Sequence, residues 1–150
     1  MALKSDRIEL LTDVSFFMNT TGTRGGVVCV NVATSGLGAA MDDAKAVVAY
    51  AATVSGSLPV GILLNDVVNI DLTKQHINWH KDEVQLGGKV TLLRIGQVTT
   101  DFLTGTPSPG AKAYVGVSGL IGTSSTNAVQ IGQFLSATDA DGYAKVSVNL

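Results

Sequence analysis

The apolar residues of this chain come in short runs, and nearly every run is cut by Gly, Asn, Asp, Ser or Thr before it reaches the length of a helix. "RGGVVCVNV", "SGSLPVGILLND", "GGKVTLLRIGQV" and "DADGYAKVSVNL" all show the pattern, and 17 of the 150 residues are Gly. Valine-rich runs of this length, bounded by turn residues, read as strands. The spacing predicts strands over 14–19, 26–32, 46–51, 60–64, 67–72, 77–80, 89–98, 113–117, 128–135 and 143–148. Two segments also suit a helix. Ser5 and Asp6 can cap a short one running through Leu11, and the alanine-rich stretch 37–52 carries Asp42 and Asp43 where a first turn favours acids. Over 46–51 strand is the better reading, because Val47 and Val48 are β-branched.

Turn chemistry adds detail. Asp141-Gly142 before the alternating run Tyr143 to Val148 is a hairpin signal, and it aims the last strand back at 130–135. Pro107 and Pro109 lack an N–H, so 104–110 reads as a surface loop. A weak internal repeat is present: "AKAVVAYAATVSGSLPVGILL" at 44–64 and "AKAYVGVSGLIGTSSTNAVQIGQFL" at 111–135 each place Ala-Lys-Ala, a strand, a Gly/Ser turn and a second strand in order. The implied fold is mainly β. It is a small β-barrel or β-sandwich built from two similar hairpin units, with an extended N-terminal arm (1–25), one β-rich domain (26–150) and at most one or two short helices.

Composition restricts function. A chain that is 45% hydrophobic and 15% charged has material for one core. Its net charge of -2, with Lys and Arg scattered, supplies no basic stripe for nucleic acid. The N-terminus "MALKSDRIELL" lacks the apolar core of a secretory signal, and no run approaches the ~18 apolar residues of a membrane span, so synthesis in a host cytoplasm and no membrane partner are expected. The lone Cys29 excludes an internal disulfide and reads as a buried thiol.

The candidates for chemistry are weak. Asp139 and Asp141 resemble the start of a calcium loop without its later ligands, and a turn is the better reading. His76 and His80 stand four apart but lack the HExxH pattern, and Ile77 and Trp79 alternate around them as in a strand. Thr23-Arg24-Gly25-Gly26 has no P-loop lysine, and no Gly-x-Ser-x-Gly elbow occurs. No catalytic residue, cofactor or metal site is expected, and the chain does not read as an enzyme.

Two segments carry a resemblance. "AKAVVAYAATVSGSLPVGILLNDV" resembles the part of the lambda-type head-decoration proteins where a strand with an aromatic residue precedes a Gly-rich turn and a Val-Gly-Ile-Leu strand. "PGAKAYVGVSGLIGTSSTNAVQIGQFLSATDADGYAKVSVNL" is similar to the C-terminal half of bacteriophage capsid cement proteins. The likeness covers about half the chain, and residues 1–36 depart from it. It implies a non-catalytic virion protein on the outer surface of an icosahedral phage head, whose partners are the major capsid protein and further copies of itself, as trimer or dimer. Its expected role is to staple neighbouring capsid subunits against the pressure of packaged DNA. The expected contacts are Val14, Phe16, Phe17 and Met18, as a strand added to a capsid subunit, and Trp79, with Phe16 and Phe17 filling the domain's own core as the equally weighted alternative. The alternative from the residues alone is a glycan-binding or adhesion module, with Trp79 and Tyr143 stacking on sugar rings.

Overall fold

A computed structural model describes residues 3–30, 46–64 and 83–150 of the chain. The expected strands 67–72 and 77–80, with His76, His80 and Trp79, lie outside the described residues, as does most of the 37–52 segment.

The architecture grows from one long strand. β8 (Thr91–Thr100) is antiparallel to three others: β1 (Ile8–Asp13), β6 (Pro59–Leu64) and β12 (Ala144–Asn149). A strand has two hydrogen-bonding edges, so two of the three must share one. Leu92 and Leu93 face both β1 and β6, while Ile95, Gly96 and Gln97 face both β1 and β12. β1 therefore runs along one edge, and β6 and β12 divide the other on either side of Arg94. The Arg94 carbonyl accepts the Leu150 N–H (2.9 Å) where β12 gives way to β6.

The sheet forks at that point. One wing continues from β6 to β4 (Val27–Val30), β5 (Val47–Ala49) and β2 (Phe17–Met18), the last pairing parallel to β5. The other continues from β12 to β11 (Gln130–Phe134), β9 (Lys112–Val115) and β10 (Ile121–Gly122). A separate two-stranded pair joins β3 (Gly22–Thr23) to β7 (Glu83–Val84). The helical element among the described residues is a single 3-10 turn, Val117–Gly119. The fold is mainly β, as the punctuated valine runs imply.

Burial follows the sequence pattern strand by strand. β12 alternates, with Ala144, Val146 and Val148 inside and Asn149 outside, while β11 buries Ile131 and Phe134 and exposes Gln133. The unbroken apolar runs of β4, β6 and the start of β8 are covered on both faces. Val27, Cys29, Ile62, Leu64 and Leu93 enter the larger core with β9 to β12, while Val28, Leu63 and Leu92 enter a second core with Met18, Val48, Val84 and Val90. Each such side chain contributes about 1.5–3 kcal/mol when fully buried.

The wings meet again around Tyr50. The Ser118 N–H donates to the Ala51 carbonyl (2.8 Å), joining the end of β5 to the turn before β10 and closing the larger core. The Tyr50 ring fills the joint. A Cβ built on Gly119 would lie 2.7 Å from it, and one on Gly26 would lie 2.9 Å from both it and Phe102. The Tyr50 hydroxyl donates to the Thr23 carbonyl, and its ring tilts against Phe102 at 5.8 Å. Burial pushes the Tyr50 phenol well above its usual range, so it stays a donor. From the adjoining side, the buried Thr100 hydroxyl donates to the Gly25 carbonyl (2.9 Å).

Two expectations need correcting. Residues 5–11 are not a helix, because Ile8–Asp13 forms β1. A helix this short gains few hydrogen bonds for its costly nucleus, whereas a ladder to β8 offers bonds along its length. Within the expected N-terminal arm, Leu3 is buried in the larger core, and the Lys4 N–H donates to the Thr99 carbonyl (2.9 Å). The two repeat units are not similar hairpins either. β9 pairs directly with β11, but β5 and β6 are separated by β4, which bonds to both.

Three outcomes test this account. Gly119→Ala puts a methyl against the Tyr50 ring at φ +81°, and is expected to destabilise by about 1–3 kcal/mol in urea unfolding. Tyr50→Phe, which loses the bond to Thr23, is expected to cost about 0.5–1.5 kcal/mol. Gly96→Ala would place its Cβ 2.1 Å from the Ile8 carbonyl oxygen. Hydrogen exchange should then show lost protection across 8–13 while β11 and β12 keep theirs.

Candidate functional site

The outer flank of β8 carries the feature that the fold leaves unfinished. β1 is bonded to β8 along one edge, and no second ladder partner for it occurs among the described residues. Its register slips twice. Leu10 is an extra residue between the pairs Glu9–Gly96 and Leu11–Ile95, and Arg94 is skipped on β8 between Ile95 and Leu93. Every residue from Ile8 to Thr12 is exposed, with Ile8, Leu10 and Leu11 at 48%, 74% and 48%. β1 is thus apolar and open on both faces.

Asp13 ends the strand. One carboxylate oxygen accepts from the Ser15 N–H (2.8 Å) and from the Ser15 hydroxyl, and the other lies 3.6 Å from the Arg94 guanidinium. This local turn holds Val14 outward at 41% exposure, and a shallow groove opens between Leu11, Val14, Ser15 and Arg94. Arg7 donates to the Glu9 carboxylate on the same strand. The result is an apolar ribbon with alternating charges at its ends.

The expected contacts separate into different places. Val14 stands on this ribbon. Phe16 is half-buried against the second core, and the half-buried Phe17 carries the Lys89 ammonium 4.3 Å above its ring. Met18 is 1% exposed and belongs to the second core, which removes it as a surface contact. The backbone from Phe16 to Asn19 is also occupied on both sides. Phe17 and Asn19 donate to Ala46 (2.8 Å) and Val48 (2.9 Å), while Met18 and Phe16 bond to Gly87, Gly88 and Val90 (2.8 to 3.1 Å). It has no edge left for strand addition, and the segment with such an edge is β1. The sequence signal for β1 was the spacing Ile8-x-Leu10, masked by the capping residues Ser5 and Asp6.

The other candidates resolve into structural roles. Asp139 builds the last hairpin: its carboxylate accepts the Tyr143 N–H (2.8 Å) and the Asp141 N–H (3.0 Å) and pairs with Lys4 at 3.0 Å. Gly142, at φ +87°, completes the turn. The Lys4 ammonium lies 4.2 Å above the Tyr143 ring, occupying one of the faces on which a sugar would stack. Cys29 lines a cavity of about 210 Å³ with Tyr50 and Ser57, and burial pushes its thiol up to about 11, so it is protonated and a poor nucleophile at neutral pH. Among the described residues no three His, Cys, Asp or Glu side chains group as metal ligands, and no helix is long and apolar enough to cross a membrane.

No protein-family model matches the chain, and no curated protein matches it.

The Asp139 turn predicts a pH response. The Tyr143 N–H, then Lys4 and the Asp141 N–H, hold the Asp139 carboxyl below its ordinary range. A depressed carboxyl stabilises the fold above its unfolded-state value, and that stabilisation disappears as pH falls through the lower folded value. Asp139→Ala should lower Tm at neutral pH, and the difference from the parent should close in acid. A difference that persisted unchanged at low pH would show that the carboxylate charge is not what matters.

Proposed function

We propose that this chain is a non-catalytic structural virion protein that binds the outer surface of an icosahedral phage head and staples neighbouring major capsid subunits. The observation that carries the reading is the run of exposed apolar side chains from Ile8 to Val14, on a strand bonded to β8 by one edge only among the described residues. Contiguous exposed apolar surface rimmed by charges is the usual mark of a protein contact. The sequence likeness to head-decoration and cement proteins over 44–64 and 111–148 supplies the partner class. The mainly β fold, tied from Lys4 to Asp139 and closed at Tyr50, suits a part that must resist force.

Binding by more than one subunit contact converts later contacts into intramolecular ones, so modest interfaces hold strongly. On this reading the groove of Leu11 and Val14 meets the capsid.

Co-sedimentation of the purified chain with expanded, undecorated heads should give saturable binding at a near-integral number of copies per capsid subunit. Leu11→Lys and Val14→Lys leave both cores intact and should each weaken binding about tenfold, or about 1.4 kcal/mol. A folded protein that does not bind heads at all would sink the reading. The glycan-binding alternative would then be tested with Trp79→Ala.

A further inference from the structure

We infer that β1 is a self-association seam: two copies of the chain pair their β1 strands antiparallel about a twofold axis that passes through Leu10. The inference does not depend on the capsid reading, since it concerns the free protein.

An uncovered apolar edge strand is a template for another strand, and natural proteins blunt such edges with charge, proline or a covering element. β1 carries no proline, and its centre, Leu10-Leu11, carries no charge. The occupant is argued from charge. In a twofold antiparallel pair the numbers of facing residues have a constant sum, so each register can be checked against the sequence. With Leu10 facing Leu10, Ile8 faces Thr12, Glu9 faces Leu11, and Arg7 faces Asp13 twice, once on each side of the axis.

The neighbouring registers are worse. A shift of one residue sets Asp6 against Asp13, or Asp13 against Ile8, and a shift of two sets Glu9 against itself or against Asp13. Like charges directly opposite are destabilising, and opposite charges are favourable. The Leu10 register is also the one that fits the contacts already made. Arg7 is paired with Glu9, and Asp13 sits 3.6 Å from Arg94. Joining Arg7 to the second copy's Asp13 extends both into a run of alternating sign: Glu9, Arg7, Asp13, Arg94. The most exposed large side chain of the strand, Leu10, lies on the axis, where it covers its own counterpart.

The geometry gives a direct test. Facing residues of an antiparallel pair have Cα atoms about 4.5–5.5 Å apart, within the ~4.4–6.8 Å that a disulfide spans. Under oxidation with oxidised glutathione, Leu10→Cys should form a covalent dimer, the two thiols losing two protons and two electrons to glutathione disulfide, which is reduced to two glutathione thiols. Ile8→Cys should cross-link to Thr12→Cys in a mixture of the two variants but not to itself. Leu86→Cys, 69% exposed and distant in sequence, is the control for random collision. Sedimentation of the parent chain should show a concentration-dependent dimer, whose dissociation constant rises at least about tenfold in Leu10→Lys. Arg7→Asp should weaken the dimer, and Arg7→Asp with Asp13→Arg should restore it.

A parent chain that stays monomeric up to millimolar concentration would overturn the inference. So would cross-linking of Leu10→Cys no faster than the Leu86→Cys control, or preferred self-linking at Leu11→Cys, which would give a different register. If heads protected the β1 amides of a monomeric chain from exchange, the edge would belong to the capsid and the seam would again be refuted. Failure to bind heads by a chain that dimerises as described would leave the seam standing and remove only the capsid reading.

Discussion

β8 has two edges and three partners, and the rest of the fold depends on how that conflict is settled. Each edge can satisfy one row of N–H and C=O groups. β1 pairs with Leu92 to Gln97 along one edge, so β6 and β12 must follow each other along the other and part at Arg94. Strands that leave a common edge at one point cannot continue as a flat sheet. They diverge as two wings, and the space between them becomes the larger core. The bulge in the ladder at Arg94 falls at the fork, where the added twist of a bulge helps the wings separate.

Wings that diverge must also be closed, and backbone alone does little of this. The Ser118 to Ala51 bond is a single contact worth about 0.5–1.5 kcal/mol net. Tyr50 makes the closure specific. Its ring reaches Gly26 on one wing and Gly119 on the other at distances that leave no room for a Cβ, so both positions are small because one side chain is large. The sequence places these residues far apart, and nothing local marks Gly26 or Gly119 as partners of an aromatic ring.

What could be read from the sequence was local. The turn at Asp139 to Gly142 was legible because a short-range hydrogen-bond pattern decides it, and the same holds for the apolar runs of β4 and β6. Pairing was not. The two Ala-Lys-Ala segments look alike, yet β4 inserts between β5 and β6 while β9 bonds directly to β11, because partners are chosen by the whole sheet. β1 failed for the same reason: Ser5 and Asp6 offer a cap, but the long-range ladder to β8 outweighs it. Val14 was found among the exposed contacts, whereas Met18, four residues on, fills the second core and closes against Gly22.

β1 itself is the residue of this settlement. A strand bonded to a hub with its apolar side chains still about half or more exposed gains hydrogen bonds without the full burial that normally accompanies them. Ile8, Leu10 and Leu11 remain 48%, 74% and 48% exposed, so covering each would add part of the ~1.5–3 kcal/mol of a fully buried side chain. The folding of a single chain therefore explains where β1 lies and not why it is apolar. The proposed association would explain both, because the edge that β1 leaves open is the one a second strand would need. A twofold pair would leave each copy's Leu11 and Val14 groove in place, now duplicated about the axis. If both proposals hold, the two grooves would stand at a fixed separation, which is what a staple between neighbouring subunits requires.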